Sequence, residues 1–202
     1  MRTYPIMLNV TDRVCVVVGA GPVGLRKAEA LARAGASVRL VDPRGDVRAP
    51  DGSEHLRRAY EPSVLDGAFV VFACTDDSEL NARIVADARS GRALVNVADV
   101  PGLCDFYAAA TVSDGDVVVA VGTGGTAPAL AGRLAHSLAD ALPDRIGEFA
   151  AALGRLRGEL AGRGKQADRR SAILKRLAGP EGYDTFLEGG YNALAERAER
   201  DL

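Results

Sequence analysis

Apolar positions along this chain follow two rhythms. In the first half, short continuous runs of β-branched residues at 14–18, 37–41, 68–74 and 94–97 read as strands buried on both faces. Between them lie segments of helical period. Residues 22–34 offer Val23, Ala30, Leu31 and Ala34 to one face before Gly35, and residues 79–90 offer Leu80, Ile84, Val85 and Ala88 before Gly91. Strand and helix in alternation call for a parallel sheet covered by helices on both sides. Residues 4–10 are expected to pack on that sheet as a short lead-in, and residues 43–53, rich in Pro, Gly and Asp, form a loop. Residues 55–60 read as a third strand and 61–67 as a short helical turn.

Beyond residue 104 the rhythm changes. Extended runs at 105–112 and 116–121 flank Ser113-Asp114-Gly115, a hairpin signature. A glycine-rich turn, residues 122–128, leads into a predicted helix from Pro128 with leucine at 130, 134, 138 and 142, stopped by Pro143. A largely helical tail takes up the remainder, with no internal repeat and no low-complexity linker.

Composition changes the picture mainly by exclusion. The 202 residues are 48% hydrophobic and 26% charged, as in ordinary globular proteins, and no apolar run approaches the length of a membrane span. The N-terminus lacks a signal-peptide pattern, so a cytoplasmic location is expected. A net charge of −2 with no basic run among aromatics argues against nucleic acid as partner. Cys15, Cys74 and Cys104 have no metal-type spacing, and His55 and His136 stand far apart, so no metal site is expected and acid or base chemistry falls to carboxylates. Charge is uneven in the tail. Residues 144–178 carry nine Lys or Arg against four Asp or Glu, and this basic stretch suits either an acidic ligand or a solvated helical face.

The motif with most chemical content is Gly19-Ala20-Gly21-Pro22-Val23-Gly24, which follows the first strand. In the Gly-x-Gly-x-x-Gly pattern the first glycine makes the tight turn, the second admits the backbone to a pyrophosphate, and the third lets the helix lie close on the strand. Three contexts support a dinucleotide site. An apolar strand precedes the motif, a helix with proline in its first turn follows, and Asp42 ends the next strand 18 residues beyond Gly24. Asp42 is placed to bind the adenine ribose hydroxyls and to repel a 2′-phosphate, favouring NAD, with Pro43 beside it. Arg44, two residues on, keeps NADP open.

Ligands of such sheets sit beyond the carboxyl ends of the strands, which selects the loops at 19–24, 42–44, 75–78 and 96–99. Thr75, Asp76 and Asp77 are candidates for the nicotinamide ribose, with Ser78 expected to cap the following helix. Asp99 stands just past a strand end, where a carboxylate can remove a proton while hydride leaves to the cofactor; the same position also suits a turn-forming aspartate. Cys104 reads as a small hydrophobe or a nucleophile, and His136 as packed or surface. The turn at 122–126 suits an anionic group, although no Gly-Lys-Ser/Thr follows it.

Taken in order, Pro5-Ile6, the glycine turn, Arg26-Lys27-Ala28, Ala73-Cys74-Thr75-Asp76-Asp77, Asn81, Asn96-Val97-Ala98-Asp99 and Gly122-Thr123-Gly124-Gly125-Thr126-Ala127-Pro128 resemble the precorrin-2 dehydrogenase family, which includes the N-terminal half of sirohaem synthase. The resemblance covers residues 1–145 well and the tail only in length and character. It implies a Rossmann-type α/β domain at 1–112, a dimerisation region of hairpin and helix at 113–145, and a helical C-terminal domain at 146–202. It further implies a homodimer that oxidises the tetrapyrrole precorrin-2 to sirohydrochlorin with NAD. Asp99 falls on the family's catalytic aspartate. Gly19, Gly21, Pro22, Val23, Gly24, Asp42, Pro43, Thr75 and Asp76 are expected to hold the cofactor, and Thr123, Gly124, Gly125 and Thr126 the substrate. Thr123 stands where sirohaem synthase carries serine. Arg155, Arg157, Lys165, Arg169 and Arg170 are candidates to meet substrate carboxylates. Two alternatives stay open: a bifunctional dehydrogenase and ferrochelatase, and a non-catalytic NAD-sensing module.

Overall fold

The computed structural model describes residues 3–162 and 167–201 as two compact units, Met1–Ala108 and Ala109–Leu202. The first unit is a five-stranded parallel sheet. Strands β1 (Val14–Val18), β2 (Ser37–Val41), β3 (Glu54–Leu56), β4 (Val70–Ala73) and β5 (Leu94–Val97) lie in the order β3-β2-β1-β4-β5. The order reverses beside β1. The crevice where loops after β1 and β4 part is therefore at the carboxyl end of β1, where the glycine turn begins.

Continuous apolar strands make this sheet a two-sided core. Val16, Val18, Val71, Ala73, Val95 and Val97 meet Ile84, Val85 and Ala88 of α2 (Ser78–Ser90) on one face. Cys15, Val17, Val38, Leu40, Val70 and Phe72 meet Ala28 of α1 (Pro22–Arg33) on the other. The buried face of α1 differs from the expected one. Ala30 and Ala34 are exposed, and the helix packs through Gly24, Leu25, Ala28, Leu31 and Ala32, because the approach of Gly24 to the turn fixes its rotation.

The lead-in also differs. Only Val10 is buried, and Tyr4, Ile6, Met7 and Leu8 are exposed instead of lying on the sheet. The third strand is short, Glu54–Leu56, and a 3-10 turn occupies Pro62–Leu65.

In the second unit β6 (Ala110–Asp114) and β7 (Val117–Val121) form an antiparallel hairpin on which α3 (Pro128–Ala141) packs. The two-residue turn has Gly115 at φ 54, as tight hairpins require. The division expected at residue 112 cuts through β6, since residues 105 and 106 are bonded to β5 and pairing with β7 starts at Ala110. Helices α4 (Ile146–Ala161), α5 (Ala167–Leu177) and α6 (Pro180–Arg200) close around Phe149, Leu156, Leu160, Ile173, Leu177, Phe186 and Leu194. Non-helical backbone at Gly190 divides α6 into two segments. Backbone meets backbone where α4 starts: a Cβ on Gly147 would lie 2.4 Å from the Asp114 carbonyl oxygen, and the Asp114 carboxylate accepts the Gly147 N–H at 2.8 Å.

Candidate dinucleotide site

The three glycines of the turn have separate physical roles. Gly19 has φ 97, and a Cβ there would fall 2.5 Å from the Cys74 carbonyl oxygen; a Cβ on Gly24 would fall 1.8 Å from the Gly19 carbonyl oxygen. These two positions shape the turn. Gly21 has no neighbour within 4 Å of its notional Cβ, so its lack of a side chain leaves open space above the backbone. No side chain caps the N-terminus of α1. At α2, by contrast, the Asp77 carboxylate accepts the N–H groups of Glu79 and Leu80 at 2.9 and 3.0 Å. The α1 amides and the positive end of its dipole thus face the opening at Gly21, an arrangement that fits a pyrophosphate. Pro22 opens the helix, and Val23 is half-buried in its first turn.

Asp42 continues from β2 into the same opening and is 5% exposed. Its Oδ2 accepts from the Ala20 N–H at 2.7 Å and from Arg44 Nη2 at 2.8 Å; its Oδ1 accepts from the Arg44 N–H at 3.0 Å and Nε at 2.9 Å. The Arg44 guanidinium holds the Asp42 carboxyl well below the usual carboxylate range, with the backbone donors of Ala20 and Arg44 acting in the same direction against burial. Pro43, between them, is exposed.

After β4 the loop is locked by Asn81, a buried polar residue of α2. Its Nδ2 donates to the Thr75 carbonyl at 2.9 Å, and its Oδ1 accepts the Thr75 hydroxyl at 2.8 Å. Asp76 remains exposed. The cap of α2 is Asp77 and not Ser78, which is already the first helical residue. A carboxylate one position earlier reaches two amides at once.

Asp99 lies beyond β5 at φ 59, a left-handed conformation that few non-glycine residues adopt. Two anchors hold its turn. The Ala98 N–H donates to the Ala73 carbonyl at 2.9 Å, and the Cys104 sulfur accepts the Val97 N–H at 3.2 Å while its own S–H faces the carbonyls of Val97 and Val100. Segment 104–106 is in turn bound along β5: the Asp105 carboxylate accepts the Val95 N–H at 3.0 Å and Arg89 Nη2 at 2.9 Å, and the Asn96 side-chain amide donates to the Phe106 carbonyl at 2.8 Å. Cys104 is therefore a half-buried pin of the Asp99 turn.

Lys27 is a residue that periodicity alone passes over. Its ammonium stands 5.6 Å from the centre of the Phe72 ring, and burial with the neighbouring Arg26 lowers its pKa. Burial pushes the Cys74 thiol up to about 11, with Lys27, Asp99 and Arg26 all acting on it. The carboxylate of Asp99 and the cations of α1 so share the environment of one thiol at the end of β4. The run Arg26-Lys27-Ala28 carried that signal.

The turn at 122–126 belongs to the second unit. The Thr123 side-chain oxygen accepts the Ala127 N–H at 3.2 Å, Thr126 donates its hydroxyl to the Thr123 carbonyl at 2.6 Å, and Gly124 and Gly125 have φ 62 and 81. His136 is exposed on α3. Of the basic candidates in the tail, Arg155 pairs with Glu159 at 3.0 Å and lies over Tyr191, and Arg169 donates to the Asp201 carbonyl. Arg157 is exposed, and Lys165 lies outside the described residues.

Sheet order, glycine turn and a carboxylate at the end of β2 define a Rossmann-type dinucleotide-binding protein. The chain belongs to the family described as putative NAD(P)-binding, whose model matches residues 6–110. It is 34% identical over its whole length to a siroheme synthase of Thioalkalivibrio sulfidiphilus, of which it covers 42%, and 40% identical to one of Methylobacillus flagellatus over 75% of this chain and 33% of that protein. The chain thus spans about two fifths or less of the length of these two relatives. Its fold matches that of the solved structure of SirC, precorrin-2 dehydrogenase, with a TM-score of 0.75 at 19% identity, covering 98% of this chain and all of that one.

Proposed function

We propose that this chain oxidises precorrin-2 to sirohydrochlorin with NAD, Asp99 acting as general base. The observation that carries the reading is the Asp99 turn. A carboxylate is held in a left-handed conformation, pinned on both sides, at the carboxyl edge of the sheet that carries the glycine turn. Strain of this kind is kept where a side chain must point one way, and the similarity to siroheme synthases and to the fold of SirC supports the same reading.

When bound, the nicotinamide ring accepts the hydride. Residues of the chain do the rest. The α1 N-terminus and Gly21 receive the pyrophosphate, and Asp42 receives the adenine ribose; Thr75 and Asp76 meet the second ribose. Asp99 takes up on its carboxylate the proton that leaves the tetrapyrrole as the hydride departs, so that one hydride and one proton are lost together. The glycines and hydroxyls of the turn at 123–126 meet the substrate. Its carboxylates make an anionic ligand, for which Arg157 is a candidate partner in the tail.

A second copy is the partner. Leu130, Leu134 and Leu138 are 51%, 44% and 41% exposed in one stripe of α3, and Val118 of the hairpin beneath is exposed as well. An apolar stripe of this length suits a dimer interface. The three unpaired thiols suit a reducing cytoplasm.

The test is anaerobic turnover of enzymatically generated precorrin-2 with NAD, followed by sirohydrochlorin absorbance. Asp99→Asn is expected to lower turnover about 100-fold or more while NAD binding changes less than about twofold. NAD binding without turnover in the parent chain would overturn the dehydrogenase reading in favour of a sensor. Leu134→Asp is expected to give monomers in sedimentation analysis.

A further inference from the structure

The Asp42 carboxylate has four acceptor positions, and the fold fills all four. Two are taken by backbone N–H groups of Ala20 and Arg44, which are fixed by the glycine turn and the end of β2. The other two are taken by Nε and Nη2 of the Arg44 side chain, one on each oxygen. A ribose with free 2′ and 3′ hydroxyls also brings two donors. It can bond Asp42 only where the guanidinium now sits.

We propose that Arg44 is an exchangeable counter-ion on Asp42 that sets how strongly the site discriminates NAD from its 2′-phosphorylated counterpart. The proposal rests on the reading of this site as a dinucleotide site and not on the dehydrogenase activity. The Arg44 side chain is 55% exposed, so it is free to leave. The carboxylates of Asp46 and Asp76 also act on it, more weakly than Asp42. With NAD, two hydroxyl donors replace two guanidinium donors and Asp42 stays satisfied. With NADP, one hydroxyl donor is missing and a phosphate dianion stands beside Asp42. Arg44 then stays between the two anions, bonded to the carboxylate on one side and offering its remaining N–H groups to the phosphate. A bare aspartate would reject the phosphate by repulsion; the paired one tolerates it.

The experiment titrates the full chain with NADH and with NADPH, following nicotinamide fluorescence, and reads the ratio of the two dissociation constants. Arg44→Ala is expected to raise the NADPH-to-NADH ratio about tenfold or more, by weakening NADPH while NADH binding holds or tightens. Arg44→Lys, which keeps the charge but not the fork, is expected to fall between. Asp42→Asn is expected to lower the ratio, since the repelling charge is gone. Equal weakening of both nucleotides in Arg44→Ala, or a ratio unchanged within twofold in a variant whose melting temperature is that of the parent, would overturn the proposal. A parent chain that binds neither nucleotide would overturn the dinucleotide reading and this proposal with it, whereas binding without precorrin-2 turnover would count against the dehydrogenase reading alone.

Discussion

Alanine at Gly21 and alanine at Gly24 are three positions apart in one turn, yet they should fail in different ways. At Gly24 the added methyl would stand 1.8 Å from the Gly19 carbonyl oxygen and 3.4 Å from Cys74 Cβ. Real Cβ contacts essentially never fall below 3.0 Å, so turn and helix must separate by at least 3.0 − 1.8 = 1.2 Å. Overpacking of this kind costs about 1–3 kcal/mol, against about 0.5–1 kcal/mol recovered from replacing a helical glycine. The balance, about 0.5–2 kcal/mol, lowers the melting temperature by about 1–8 °C at roughly 2–4 °C per kcal/mol. The opened turn also loses its grip on a pyrophosphate. At Gly21 the backbone has φ −70 and ψ 178, ordinary for alanine, and nothing lies within 4 Å of the new methyl. Gly21→Ala should therefore melt within about 2 °C of the parent, because only unfolded-chain entropy changes. Its methyl enters the space that the pyrophosphate must use, so NADH affinity should fall about tenfold or more. Thermal unfolding and NADH titration of both variants check the pair. Unchanged NADH affinity in a well-folded Gly21→Ala protein would refute the placement of the pyrophosphate.

Other perturbations read other parts of the site. Asp42 has its folded pKa depressed, so its contribution is present above its unfolded pKa of about 3.9 and is lost as pH falls toward the folded value. Asp42→Asn should cost about 1–3 kcal/mol in denaturant titrations at pH 6–7, and the gap to the parent should shrink below about pH 4; a gap independent of pH would count against the ion pair. The Cys74 thiol, pushed up to about 11, should alkylate about 100-fold more slowly at pH 8 than an ordinary thiol of pKa about 9, and the rate should keep rising with pH beyond 9. Peptide mapping after iodoacetamide reads this directly, and an ordinary rate at pH 8 would refute the burial argument. Asp105→Ala leaves the Val95 N–H without its acceptor and should cost about 1–3 kcal/mol in chemical denaturation; a loss under about 0.5 kcal/mol would show that water replaces the carboxylate.

Elements with continuous periodicity were legible. The runs at 14–18, 37–41 and 94–97 coincide with strands, and glycine spacing alone located the turn between β1 and α1. What pattern could not supply was contact made through single atoms. The rotation of α1 is fixed by Gly24 against Gly19, not by its most apolar stripe, so Ala30 and Ala34 face outward. Residues 105 and 106 look like the start of a hairpin strand because they open an extended run that continues to 112, but the Asp105 carboxylate and the Asn96 amide bind that segment to the sheet first. The capping of α2 shifted from Ser78 to Asp77 for a similar reason, two good acceptors standing side by side. Arg44 was legible as a residue near Asp42, whereas its threefold contact with the carboxylate depends on the geometry of both.

The binding of segment 104–106 along β5 has a consequence for how molecules of this protein meet one another. An uncovered outer strand offers alternate N–H and C=O groups as a template on which another chain can add, the usual start of edge-to-edge aggregation. On β5 those groups belong to Val95 and Val97, and each is already engaged: Val95 by the backbone and carboxylate of Asp105, Val97 by the sulfur of Cys104. Two side chains and one backbone N–H do here what a sixth strand would otherwise do. The sheet ends at this side with no vacancy for a neighbour's strand, so the segment that follows the Asp99 turn also closes the sheet against addition at β5.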